Sequence, residues 1–124
     1  MAKKVFPSSL PYPFSAAVRS GNLLFVSGQV GMRDGKVGEG MEEQTRWTME
    51  NIRETLEHAG SSLERVVKCT VFIKDMSRWA AMNDVYREYF PAEPPARSSL
   101  GVNALALPEL LIEIECIAEV EGET

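Results

Sequence analysis

The stretch "EPPARSSLGVNALALPELLIEIECIA", residues 93–118, decides how the chain is read. Its second half alternates strictly. Ile112, Ile114, Cys116, Ala118 and then Val120 fall on one side of a strand, and Leu111, Glu113, Glu115 and Ile117 on the other. The first row is a core face. The second is neither core nor solvent face, because two carboxylates interrupt an apolar row, and it suits a subunit interface that encloses a polar pocket. The first half sets Arg97, Ser99, Gly101 and Asn103 at alternate positions of a strand over 96–104. Antiparallel pairing of that strand with 110–120, turning at Leu107-Pro108-Glu109, brings a guanidinium, a hydroxyl and a carboxylate to one side, although the register is not fixed by the sequence.

Upstream, "SAAVRSGNLLFVSGQV" (15–30) holds two β-prone runs around Ser20-Gly21-Asn22, which is hairpin chemistry, and Asp34-Gly35 repeats the turn signal. Over 41–59, Met41, Thr45, Thr48, Met49, Ile52, Leu56 and Ala59 keep helical spacing, and Gly60 supplies the stop. Trp47 falls off that stripe and is expected at partial exposure. "RVVKCTVFIKD" (65–75) sets Val67, Cys69, Val71 and Ile73 against Val66, Lys68, Thr70 and Phe72, a strand covered on much of both sides. Ser77 then caps a second helix with the stripe Trp79, Met82, Tyr86, Tyr89 and Phe90, which Pro91 ends. The tail "EGET" is expected to fray. The order ββ, helix, strand, helix, ββ predicts one α+β domain over 1–124, a mixed sheet with helices on one face. Two helices cannot shield both faces, so the chain is expected to form a symmetric oligomer.

With 124 residues, 44% apolar and 25% charged, there is room for a single core. The net charge of −5, with cations scattered rather than clustered, argues against nucleic acid and anionic membranes as partners. The start "MAKKVFPSSLPYPF" lacks a signal-peptide core and no apolar run is long enough to cross a bilayer, so the expected compartment is the cytoplasm. Cys69 and Cys116, in separate apolar runs without ligand spacing, read as buried reduced thiols, and no metal is expected. "GQVGMRDGKVGEG" lacks the Gly-Lys-Ser/Thr ending of a phosphate loop and reads as turns. His58, the one histidine, complements a helix dipole; Glu42, Glu43, Glu50, Glu54 and Glu57 read as a solvated helix face.

Chemistry therefore rests on the closing strands. The planar fork of Arg97 matches a carboxylate bidentately, which makes it an anchor for a small organic acid. The plainer alternative is a structural Arg–Glu pair within an interface, the commoner arrangement.

"NLLFVSGQVG", "VVKCTVFIKDM", "MNDVYREYF", "PPARSS" and "LLIEIECIA" resemble, in order and spacing, the segments that mark the RidA/YjgF family of enamine and imine deaminases. The resemblance covers nearly the whole chain. It implies a chorismate-mutase-like fold, a homotrimer with pockets between subunits, no cofactor, and 2-imino or 2-keto carboxylic acids as partners. It assigns Arg97 to the substrate carboxylate and Glu113, rather than Glu115, to the attacking water. Ser99 stands where many members carry cysteine, and both types can hydrogen-bond a water or an imine nitrogen. Asn83, Ser27 and Gly28 match residues near the family's pocket; the plainer readings are a backbone-bonded asparagine and an ordinary strand end. One departure stands out: members commonly read "GPYSQA" where this chain has "YPFSAA", so Phe14 replaces a tyrosine and its hydroxyl. The resemblance implies imine hydrolysis, with a non-catalytic keto-acid sensor as the alternative and a ribonuclease third.

Overall fold

The computed structural model describes residues 2–121, so the tail expected to fray lies, apart from Glu121, outside the described residues. The elements are β1 (Lys4–Pro7), β2 (Ser15–Ser20), β3 (Leu23–Val30), a small hairpin of β4 (Met32–Arg33) and β5 (Lys36–Val37), α1 (Gly40–His58), β6 (Val66–Ile73), α2 (Trp79–Tyr89), β7 (Ala96–Gly101) and β8 (Ile112–Glu119). Six strands form one mixed sheet in the order β1-β2-β3-β8-β6-β7. All neighbours run antiparallel except β6 and β7. Helix α1 packs on β3, β8 and α2, and the inner rows of β6 and β8 join the buried residues of both helices in one core.

The expected α+β architecture is observed, including both upstream hairpins and the seven-residue stripe of α1, every member of which is buried. Trp47 is half-buried. The helix stops as its composition requires: Gly60 takes φ +86°, the Ser61 N–H donates to the Leu56 carbonyl at 2.8 Å and that of Gly60 to Glu57 at 3.2 Å. This pair of bonds closes the last turn around a left-handed residue, where glycine carries no Cβ penalty.

Four expectations need correcting. First, β7 does not pair with β8: β6 lies between them, and β7 runs parallel to β6. The unit β6-α2-β7 is a strand–helix–strand crossover, which delivers the second strand parallel to the first. The chain from 102 to 111 is a loop between separated strands rather than a hairpin turn, and Asn103 lies exposed in it. Second, Ser77 is not the cap. The Asp75 carboxylate accepts from the Ser77 backbone N–H at 3.0 Å and from its hydroxyl at 2.7 Å, holding a short 3₁₀ turn before α2. Third, an irregularity in the β6/β8 ladder between Val66 and Lys68 turns Val66 into the core and leaves Val67 outside. Fourth, Trp79 is 42% exposed rather than part of the buried stripe of α2. The edge strand β1 is an addition to the expected set.

Gln44, off the apolar stripe of α1, ties the long loop to the helix. Its amide donates to the carbonyls of Gly38 (3.0 Å) and Glu109 (2.9 Å), and its carbonyl accepts from the Leu111 N–H (2.8 Å). It is 2% exposed. Gln44→Ala strands three backbone groups at a dry site and is expected to destabilise the fold by about 3 kcal/mol. Urea unfolding at matched protein concentration checks this, since a midpoint equal to wild type would mean the loop is held by other means.

Candidate functional site

The β6/β7 register pairs Cys69 with Arg97, Val71 with Ser99 and Ile73 with Gly101. Cys69, Val71 and Ile73 are fully buried beneath the helices, so Arg97 and Ser99 face the helix side of the sheet. The Arg97 guanidinium lies 4.7 Å from the centre of the Tyr86 ring and 5.8 Å from that of Trp79, both on α2. Aromatic faces attract the cation and bond none of its N–H groups. Among the described residues no carboxylate pairs with Arg97. It opens instead onto a groove of about 610 Å³ between the Asn83, Tyr86, Arg87 and Phe90 side of α2 and the prolines of 91–95. No carboxylate lines that groove.

Asn83 is half-buried and borders the groove, with no side-chain bond to nearby backbone among the described residues, contrary to its plainer reading. The Ser99 Oγ is enclosed and has no hydrogen-bond partner in the described chain. The Tyr86 hydroxyl is also enclosed; it faces the Cys69 thiol at a geometry short of a directed hydrogen bond. Burial pushes the Tyr86 phenol up, and it likewise raises the thiols of Cys69 and Cys116, which sit opposite each other across β6 and β8. These thiols are protonated and inert at neutral pH.

Glu113 lies elsewhere. It is opposite Val30 on β3 and Phe72 on β6, on the sheet face turned away from the helices. A bulge in β3 between Val26 and Gln29 sets Ser27 and Gly28 against the single residue Glu115, and brings Gly28 up to the Glu113 side chain. A Cβ on Gly28 would fall onto the Glu113 carboxylate, so a side chain here would push that carboxylate aside. Desolvation, and then the like charge of Glu115 two residues along, raise the Glu113 carboxyl above its ordinary range. The Ser27 hydroxyl donates to the Ser15 carbonyl at 2.6 Å, which leaves only its lone pairs for a ligand. Phe14 is 48% exposed, with Tyr12 stacked on it at 6.4 Å. Phe14, Gly28 and Arg33 share a second cleft of about 570 Å³, where Arg33 is held by Asn51 and Glu54 at 2.7 and 2.6 Å.

The candidate residues thus form two sets. Arg97, Ser99 and Asn83 stand on the helix side, and Glu113 with Gly28 and Ser27 on the opposite face. One chain does not bring the guanidinium and the carboxylate to the same side, contrary to the antiparallel pairing expected from sequence. Tyr86, beneath Arg97, reads from sequence as core alone; its spacing of i+3 from Asn83 is the signal that ties it to the groove. His58 packs its ring edge-on to Phe6 at 6.1 Å, away from both sets. The acidic face of α1 is only partly solvated, because Glu54 binds Arg33 and Glu50 accepts from the Tyr89 hydroxyl at 2.7 Å.

A guanidinium without an ion-pair partner among the described residues lines a groove on the helix side, and a carboxylate of raised pKa lies on the other side of the sheet. The same architecture recurs in known proteins. The family model described as Endoribonuclease L-PSP matches residues 7–120. The mitochondrial protein mmf2 of Schizosaccharomyces pombe is 47% identical over 109 residues, covering 86% of each chain. A chloroplast protein of Arabidopsis thaliana, Reactive Intermediate Deaminase A, is 42% identical over 86% of this chain and 58% of its own. The crystal structure of RidA from an Antarctic Psychrobacter superposes with a TM-score of 0.85 at 34% identity, covering 93% of this chain and 94% of that one. The chain belongs to the RidA/YjgF family. Organellar relatives show that the family is not confined to the cytoplasm, and no helix among the described residues is long and apolar enough to cross a membrane.

Proposed function

We propose that the protein hydrolyses short-lived 2-imino acids, formed from enamines such as 2-aminoacrylate, to 2-keto acids and ammonia. The observation that carries this reading is the Arg97 guanidinium, held on two aromatic rings with no carboxylate partner beside an acid-free groove. Such a group is a ready clamp for a substrate carboxylate. The base is supplied by a second copy, because Arg97 and Glu113 of one chain face opposite ways. Leu23, Phe25 and Leu100, all exposed, share the outer face with Glu113 and give a neighbour apolar surface to cover. A closed homotrimer then carries three composite sites.

In each site Arg97 fixes the carboxylate while Glu113 of the adjoining copy takes a proton from water as its oxygen adds to the imine carbon. The resulting amino alcohol collapses to the keto acid when that proton is passed to nitrogen, the carbinol hydroxyl gives its own proton back to the Glu113 carboxylate, and ammonia leaves. Ser99 hydrogen-bonds the nitrogen or the water in this reading, and what supports it is that its enclosed Oγ has no partner in the described chain. The test generates 2-iminopropanoate in situ and follows pyruvate release. A rate no higher than that in buffer rejects the reading.

Glu113 works as a base only when ionised, so activity falls as pH drops through its raised pKa. Removing the neighbouring like charge lowers that pKa. Glu115→Gln is therefore expected to shift the acid limb of kcat/KM to lower pH, and an unmoved limb would take Glu113 out of the titrating role.

A sensor without turnover has one observation in its favour: Phe14 lacks a hydroxyl, and that of Ser27 is spent on Ser15. Thermal stabilisation by 2-ketobutyrate without imine hydrolysis would identify it. The ribonuclease named in the family description fits poorly, since the chain carries a net −5 and no track of cations long enough for a phosphate backbone.

A further inference from the structure

The Arg97 groove is much larger than a three-carbon imino acid, at about 610 Å³. It also contains a second guanidinium. Asn83, Tyr86, Arg87 and Phe90 follow one another at i, i+3, i+4 and i+7, so α2 presents Arg87 on the same side as the Tyr86 ring that supports Arg97. Arg87 is barely neutralised. Its ion pair with Asp84 is 4.0 Å long, with the two side chains 70% and 77% exposed, and such a pair contributes little. Glu88, the next acid on the helix, is occupied by Arg46 at 2.9 Å. In a chain of net charge −5, the groove's own lining carries two guanidiniums and no carboxylate, so it stays net positive even when the adjoining copy brings in Glu113. Phe90 and the prolines that share the lining suit methylene groups.

We infer that this groove selects dicarboxylates: Arg97 takes the carboxylate beside the C=N carbon and Arg87 the carboxylate at the far end of a short methylene chain. The substrate class is then four- and five-carbon 2-imino dicarboxylic acids. This rests on the proposed deaminase reading for the reaction, though not for the binding. Arg87 is exposed, so its attraction acts through water and is modest.

The test uses stable keto acids, which bind without turnover. Calorimetry is run with 2-ketoglutarate and 2-ketobutyrate on the wild type and Arg87→Gln, and unfolding temperature confirms that the variant is folded. The wild type is expected to bind 2-ketoglutarate about 10-fold more tightly than 2-ketobutyrate, and Arg87→Gln to bring the ratio near one. Equal affinities in the wild type, a preference that survives Arg87→Gln, or no binding of either acid would overturn the inference. A 2-ketoglutarate preference lost in Arg87→Gln, in a protein that hydrolyses no imine, would support the groove assignment and reject the deaminase instead.

Discussion

Arg97→Ala is expected to lower kcat/KM for 2-iminopropanoate by about 100- to 1,000-fold, the loss of a bidentate charge-assisted pair together with the orientation it imposes. The size follows from what surrounds the side chain. Tyr86 and Trp79 offer their faces to the guanidinium and leave its donors free, so nearly all of its hydrogen-bonding capacity is reserved for a ligand. Truncation breaks no ion pair within the described chain, so thermal stability should stay close to wild type and the deficit will read as function rather than misfolding. Arg97→Lys keeps the charge but loses the planar fork. It should recover only part of the activity. The measurement is keto-acid release from imine generated in situ, and an Arg97→Ala rate equal to wild type would remove the clamp from the mechanism.

Where one strand or helix carries its own periodicity, the fold can be read before it is seen. The alternation of Ile112, Ile114, Cys116, Ala118 and Val120 marks a core row, and each of these residues is 4% exposed or less. The stripe of α1 and the turns at Gly21 and Asp34-Gly35 are equally local. What cannot be read this way is which strand lies beside which. Period-two alternation puts Arg97 and Ser99 on one side whether β7 pairs with β8 or β6, and only the partner decides which side of the sheet that is. A crossover rule was available: strand, helix, strand in the order β6, α2, β7 favours parallel neighbours. The 102–111 segment, too long for a tight turn, agrees with it. The role of Gln44 is hidden from the sequence for another reason, since its three partners come from Gly38, Glu109 and Leu111, and no spacing within α1 reports them. The Gly28 bulge is similar, because what it adjoins is a carboxylate on another strand.

Glu113→Gln is expected to abolish turnover as completely as Arg97→Ala, by about 100-fold or more, because the amide is nearly isosteric and takes no proton from water. It should also leave the protein more stable at neutral pH. The folded-state pKa of Glu113 is raised, so the folded chain is penalised for its ionised form above that pKa, and the penalty vanishes below the unfolded value; the amide never carries it. The informative experiment mixes the two dead proteins. If one copy supplies Arg97 and the next supplies Glu113, an intact site forms wherever a Glu113→Gln chain donates the arginine and an Arg97→Ala chain donates the carboxylate. Random reassembly of equal amounts satisfies both conditions at about one site in four, so about a quarter of wild-type activity should return after unfolding and refolding together. Variants refolded separately and then combined without exchange should stay inactive. A site built within one chain cannot be rescued by mixing, so persistent inactivity after verified subunit exchange would place both residues in a single copy, against the opposite faces on which β7 and β8 hold them.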